Sequence, residues 1–180
     1  MLKELENITG MSDVMFKAIM YTNKNILSKL LEEILDIKIN NIEYLNSEIP
    51  LKKIIEKGKR LDLYIETTDT YVDVEVSIKP SKYIINRNLS YAFLMYCQTI
   101  EKGNSYDQYK NVHLISLIAN KKNKLPIRII KFKDQEGVVV SEKLLCSEIY
   151  IDNFIKMYYN KDVNKINKYK YLIMLGLNIK

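Results

Sequence analysis

An α/β domain around a mixed β-sheet is the fold class this sequence predicts, and three observations predict it. Arg60–Thr67 and Tyr71–Ile78 alternate apolar and polar residues with a period of two, on either side of a Thr68-Asp69-Thr70 turn. Val112–Ala119 is apolar almost throughout, the pattern of a strand buried on both faces. Before, between and after these segments the apolar residues recur at helical spacing. Strands interleaved with helices are the signature of a sheet with helices packed against it.

Each element follows in order. Ser12-Asp13 starts a helix whose apolar residues are Val14, Met15, Phe16, Ile19 and Met20. Thr22–Asn25 interrupts it, and Ile26, Leu27, Leu30, Leu31, Ile34 and Leu35 carry a second stripe to about Ile37. Asn41–Glu48 has weak strand character. In the hairpin, Leu61, Leu63 and Ile65 share one face and Asp62, Tyr64 and Glu66 the other. Its second strand places Val72, Val74, Val76 and Ile78 against Asp73, Glu75 and Ser77. Pro80-Ser81 opens a long helix to about Lys102, stopped at Gly103, with Ile85, Leu89, Ala92, Phe93, Tyr96 and Ile100 as its apolar face. Cys97 reads as a core residue of that helix. Further strands are expected at Ile127–Phe132, Val138–Val140 and Glu148–Ile151, before a helical C-terminal region over 152–180.

Composition narrows the chemistry. The chain has 180 residues, 47% hydrophobic and 28% charged, enough for one buried core, and no Gly/Pro/Ser-rich linker divides it. It reads as a single domain over 1–180 with a core at about 11–155. No apolar run approaches the ~20 residues of a membrane span, and the N-terminus lacks the apolar stretch of a signal peptide. Two cysteines, Cys97 and Cys146, do not make a staple or a zinc site, so a cytoplasmic location is expected. One histidine, His113, excludes multi-histidine metal centres and reads as structural. Carboxylates, lysines and hydroxyls are left to do any catalysis. The net charge of +6 is uneven: residues 1–56 hold 7 basic and 9 acidic side chains, residues 57–180 hold 21 and 13. A basic majority of the chain fits a polyanionic partner, and it also fits plain solubility.

Asp62 and Glu75 stand on consecutive strands expected to pair. If the register sets them side by side, two carboxylates converge where Lys79 can also reach from the Glu75 face. Carboxylate oxygens are what Mg²⁺ prefers, completed by water and substrate phosphate, and such a site suits phosphodiester hydrolysis. An acid on the polar face of an alternating strand is more commonly just solvated, and Asp73 and Glu66 share that parity.

The segments Asp13-Val-Met-Phe-Lys17, Arg60-Leu-Asp-Leu-Tyr64, Val72-Asp-Val-Glu-Val76, Arg87-Asn-Leu-Ser-Tyr91 and Gly103-Asn-Ser-Tyr106 occur in this order. Together they resemble the Rpn family of recombination-promoting, transposase-like nucleases, within the PD-(D/E)XK superfamily, over roughly residues 11–155. The resemblance implies a restriction-endonuclease-like fold, DNA cleavage dependent on Mg²⁺ or Mn²⁺, and Asp62 and Glu75 as metal-binding carboxylates. The superfamily places lysine, and Rpn proteins commonly glutamine, two residues after the glutamate. This chain has Ser77 there, and Lys79, one pleat further along, is the candidate substitute. Lys17, one turn after Asp13, faces either the site or solvent. Arg87, Tyr91 and Gln98 share a helix face that flanks the site in nucleases of this fold, so Arg87 and Gln98 are candidates for touching nucleic acid. Lys121, Lys122 and Lys124, with Arg128, Lys131 and Lys133 behind them, form a candidate phosphate-contacting cluster. Cleaving both strands of a duplex calls for two sites, which a homodimer would supply. Ser77 also leaves open a nuclease-fold protein that has lost its chemistry and acts by binding. Such a protein would be a phage-type inhibitor of a defence nuclease, or a nucleic-acid-binding module.

Overall fold

The computed structural model describes residues 13–46, 48–49, 59–100, 103–121 and 123–177. Two helices, α1 (Asp13–Thr22) and α2 (Lys24–Leu35), meet at Asn23 and precede three two-residue strands, β1 (Glu43–Tyr44), β2 (Glu48–Ile49) and β3 (Lys59–Arg60). The hairpin follows as β4 (Tyr64–Glu66) and β5 (Thr70–Ser77), then α3 (Ile84–Gln98), β6 (Asn111–Ile118), β7 (Ile127–Lys133) and β8 (Val139–Tyr150). Three short helices, α4 (Ile151–Tyr159), α5 (Val163–Lys168) and α6 (Lys170–Leu177), end the described chain. Six strands form one sheet in the order β1-β4-β5-β6-β8-β7, and β2 pairs with β3 separately. β5, β6 and β8 run parallel while the outer pairings are antiparallel, so the sheet is mixed, as the sequence predicts. Among the described residues no helix is long and apolar enough to cross a membrane.

Both faces of the sheet are covered, by different helices. On one face Phe16, Met20, Leu27, Leu30, Leu31 and Ile34 pack with Val72, Val74, Ile115, Leu117 and Ile149, and with Phe154, Leu172 and Leu175 of the C-terminal helices. On the other, Ala92 and Met95 of α3 pack on Leu61, Tyr64, Val112, Leu114, Leu144 and Cys146. β6 is buried from both sides, which is why it reads as a continuous apolar run. The Glu33 carboxylate accepts hydrogen bonds from the N–H groups of Tyr171 (2.8 Å) and Leu172 (3.0 Å), so α2 caps the first turn of α6 from a distance.

Several expectations are corrected here. Val138–Val140 and Glu148–Ile151 are not two strands: β8 is one strand of twelve residues, and Ile151 already begins α4. Its first residues pair only with β7, through two register shifts, and project beyond β6. Helix α3 starts later and ends earlier than its composition suggests, and it buries Ile84, Asn88, Ala92 and Met95. Phe93 and Cys97, expected in the core, are exposed. A polar Asn88 inside the buried stripe hid its true position from a hydrophobicity pattern.

His113 behaves as a structural residue. It faces away from α3, and its Nε2 shares a 2.7 Å hydrogen bond with Ser147 Oγ on the neighbouring strand. Burial lowers its pKa from 6.5 to about 4. Between those values the unfolded chain holds a proton that the folded protein rejects, so stability falls as pH drops through that window. About 3 kcal/mol of stability should be lost between pH 7 and pH 4 from this group alone. Chemical denaturation of wild type and His113→Gln at both pH values checks it. The stability difference between the two proteins should shrink by that amount on acidification, and an unchanged difference refutes the assignment.

Candidate active site

The hairpin register brings the predicted acids together. Tyr64 pairs with Asp73, Ile65 with Val72 and Glu66 with Tyr71, and continuing that register sets Asp62 opposite Glu75. The backbone ladder does not continue that far, because the chain bends at Asp62 and Leu63. Side chains replace it: the Asp62 N–H donates to Glu75 Oε1 (3.0 Å), and the Val76 N–H donates to Asp62 Oδ2 (2.9 Å). Each acid therefore holds the other's strand in place. The bend also breaks the expected alternation, turning Leu61 to the α3 side while Leu63 and Ile65 stay on the other.

Two cations close the site. Lys17 Nζ on α1 lies 3.2 Å from Asp62 Oδ1, and Arg87 Nη2 on α3 lies 3.3 Å from Glu75 Oε2. Arg87, expected to touch nucleic acid, is thus directed at an acid of the site. Gln98 is exposed and eleven residues further along α3, roughly 16 Å at 1.5 Å per residue, so the helix separates it from Arg87. Ser77 is half-buried at the end of β5, and Lys79 lies exposed two residues beyond that end. Lys121 and Lys124 are exposed on the connection after β6, while Lys122 and the Asp13 side chain lie outside the described residues.

A third acid joins them that sequence reasoning passed over. Asp73 sits two residues before Glu75 on the same face and has no exposed surface. Neither of its oxygens receives a well-aligned hydrogen bond, the nearby Leu63 N–H offering only weak relief. Burial first, then the charges of Glu75 and Asp62, push its pKa well above the carboxylate range, so it keeps a proton directed at Glu75. Burial and the Asp62 charge likewise raise Glu75 to about 7, against the opposing pull of Arg87. In the sequence Asp73 looked like any acid between two valines. The one clue was its i, i+2 relation to Glu75, which puts both on one face.

Three carboxyl groups crowded at one point, one of them fully buried, make an arrangement that a divalent cation relieves. Among the described residues no three His, Cys, Asp or Glu side chains lie where they could hold a metal ion together. Mg²⁺ does not need that, since it takes one or two carboxylates and fills its remaining positions with water and substrate phosphate. The donor set fits such an ion.

Comparison with known proteins agrees with this geometry. The profile of the PD-(D/E)XK nuclease family transposases matches residues 10–175, nearly the whole chain. No curated protein and no solved structure matches it. A mixed sheet flanked by helices is the restriction-endonuclease-like fold the sequence resemblance implies. The chain belongs to the PD-(D/E)XK nuclease family transposases.

Proposed function

We propose that this protein is a DNA endonuclease that depends on Mg²⁺ or Mn²⁺ and hydrolyses phosphodiester bonds at the Asp62/Glu75 site. The observation that carries the reading is the fully buried Asp73 carboxyl beside Glu75 and Asp62, in a chain of a nuclease family. Asp62 and Glu75 would hold the cation, and the hydrogen bonds they accept from the Val76 and Asp62 N–H groups fix where their carboxylates stand. The bound ion supplies Lewis-acid polarisation of the scissile phosphate and a lower pKa for an attacking water. With an ion bound, release of the Asp73 proton to solvent water would be favoured, adding a negative charge next to Glu75. Lys17, beside Asp62, stabilises charge developing on the phosphate and orients the water, the task that superfamily members give to a lysine on the glutamate strand. Ser77 stands at that strand position with a short neutral hydroxyl, and Lys79 is the other lysine within the same strand's reach. Arg87, beside Glu75, favours its ionised form against burial and the Asp62 charge.

Supercoiled plasmid tests this directly. Incubation with the protein in Mg²⁺ or Mn²⁺ should yield nicked or linear DNA, and EDTA should abolish the conversion. A folded protein that leaves the plasmid intact with either ion refutes the proposal.

A further inference from the structure

Glu148 takes no part in the site described above, yet it is as deeply buried as Glu75, at 1% against 3% exposure. The two belong to one line across the sheet: Glu75 pairs with Ser116, Ser116 with Glu148, and Glu148 with Arg128. Helix α3 lies over the middle of this line, with Ile84 against Ile118 and Tyr150 on one side and Ala92 and Met95 against Leu114 and Cys146 on the other. The line is thus a polar layer between two apolar ones. Ser116 Oγ and Asn88 Oδ1 are buried in that face without a hydrogen-bond partner, so the layer is not built for stability.

A carboxylate this buried is costly unless its oxygens are satisfied. Glu148 Oε2 accepts a 2.5 Å hydrogen bond from the Tyr150 hydroxyl and lies 2.5 Å from Arg128 Nη2. Glu148 cannot move, and it grips one end of a guanidinium whose side chain is still 46% exposed. The exposed part borders an open groove shared with Ile85, Ile130, Lys131 and Lys133. Arg128 is therefore a cation held at a fixed point of the surface, unlike the exposed Lys79, Lys82, Lys121 and Lys124.

Its place gives it a use. β5 and β6 run parallel, and the lysines follow their C-terminal ends, the edge where ligands of open α/β sheets bind. Arg128 begins the antiparallel β7 and so stands at the same edge. Three strand spacings separate it from Glu75, about 14 Å. Because a DNA strand winds around the duplex as well as rising along it, that is roughly two nucleotides along one strand. We infer that Arg128, locked by Glu148, binds a backbone phosphate of the DNA about two nucleotides from the scissile one, and that Glu148 is its positioning residue. The inference rests on the nuclease reading above and adds where the substrate lies.

Fluorescence anisotropy with a labelled duplex of about 20 base pairs tests it, with Ca²⁺ as the divalent ion and salt varied. Removing Arg128 alone strands a buried charge, so the informative variant is the double substitution Arg128→Met/Glu148→Gln, with folding confirmed by thermal melting. Its affinity should fall about five- to tenfold near 0.1 M salt, and the slope of log K against log salt should drop by about one. Glu148→Gln alone keeps the charge but frees it, so affinity should fall about threefold with the slope unchanged. Wild-type affinity and slope in a folded double variant overturn the assignment of Arg128 and leave the nuclease reading standing. A wild-type protein that binds no duplex overturns both.

Discussion

Glu75→Gln is expected to lower plasmid cleavage at least about 10³-fold, equivalent to ~4 kcal/mol of transition-state stabilisation. The fold should survive, because glutamine keeps an oxygen able to accept the Asp62 N–H that Glu75 Oε1 now receives. What disappears is charge at the point where Asp62, Asp73 and Glu75 meet. The wild-type protein should gain thermal stability on adding Mg²⁺, by ~2.7 kcal/mol at a hundredfold excess over Kd, since the ion binds the folded site alone. Glu75→Gln should lose most of that gain. Asp73→Asn makes the contrast that identifies the third acid. Its amide can still donate to Glu75 as the protonated Asp73 does, so the metal-free fold should be kept. The Mg²⁺-induced gain should nevertheless shrink. Differential scanning fluorimetry with and without Mg²⁺ reads both effects. A full Mg²⁺ shift in Glu75→Gln would remove the carboxylate from the metal site.

Lys17→Met should cut the cleavage rate about 100-fold at saturating metal, whereas Lys79→Met should change it less than about threefold. The reason is placement. Lys17 Nζ is 3.2 Å from Asp62 Oδ1 and mostly buried, fixed by a helix whose Phe16 and Met20 are anchored in the core. Lys79 is exposed beyond the last hydrogen-bonded residue of β5. A lysine held before the reaction needs no reorganisation during it, while one in solvent must be ordered at an entropic cost. Lys17→Arg should recover part of the rate. Single-turnover cleavage across a metal titration separates the alternatives. If Lys17 served merely to neutralise Asp62, its loss would tighten metal binding and leave the saturated rate unchanged.

How far the site was legible depended on the type of geometry involved. The hairpin with its defined turn showed that Asp62 and Glu75 could face each other, but the family resemblance singled them out from Asp73 and Glu66, which share their parity. Arg87 was visible as part of a helix rim, but not its aim at Glu75. Lys17 as Asp62's partner was not readable, since nothing local sets the distance between α1 and a bend forty-five residues later. The twelve-residue β8 was read as two strands because Ser141, Glu142, Lys143 and Ser147 interrupt the apolar pattern between them. Glu148 looked like the polar residue of a late strand. Its burial follows from α3 and the sheet packing over it, which is a contact between distant segments.

The amino-acid sequence by itself determined the class of chemistry and the order of elements. With one histidine and two separated cysteines, the chain offers mainly carboxylates, lysines and hydroxyls for chemistry, and its period-two and helical patterns indicate most of the strands and helices, though not the continuity of β8. Tertiary structure alone decided which acids meet, which of them are buried, and which cations stand beside them. Those outcomes follow from strand order, the bend at Asp62 and the placement of α1 and α3. A charged residue's surroundings are set by chain segments far from it in sequence, whereas secondary structure is set largely by its neighbours.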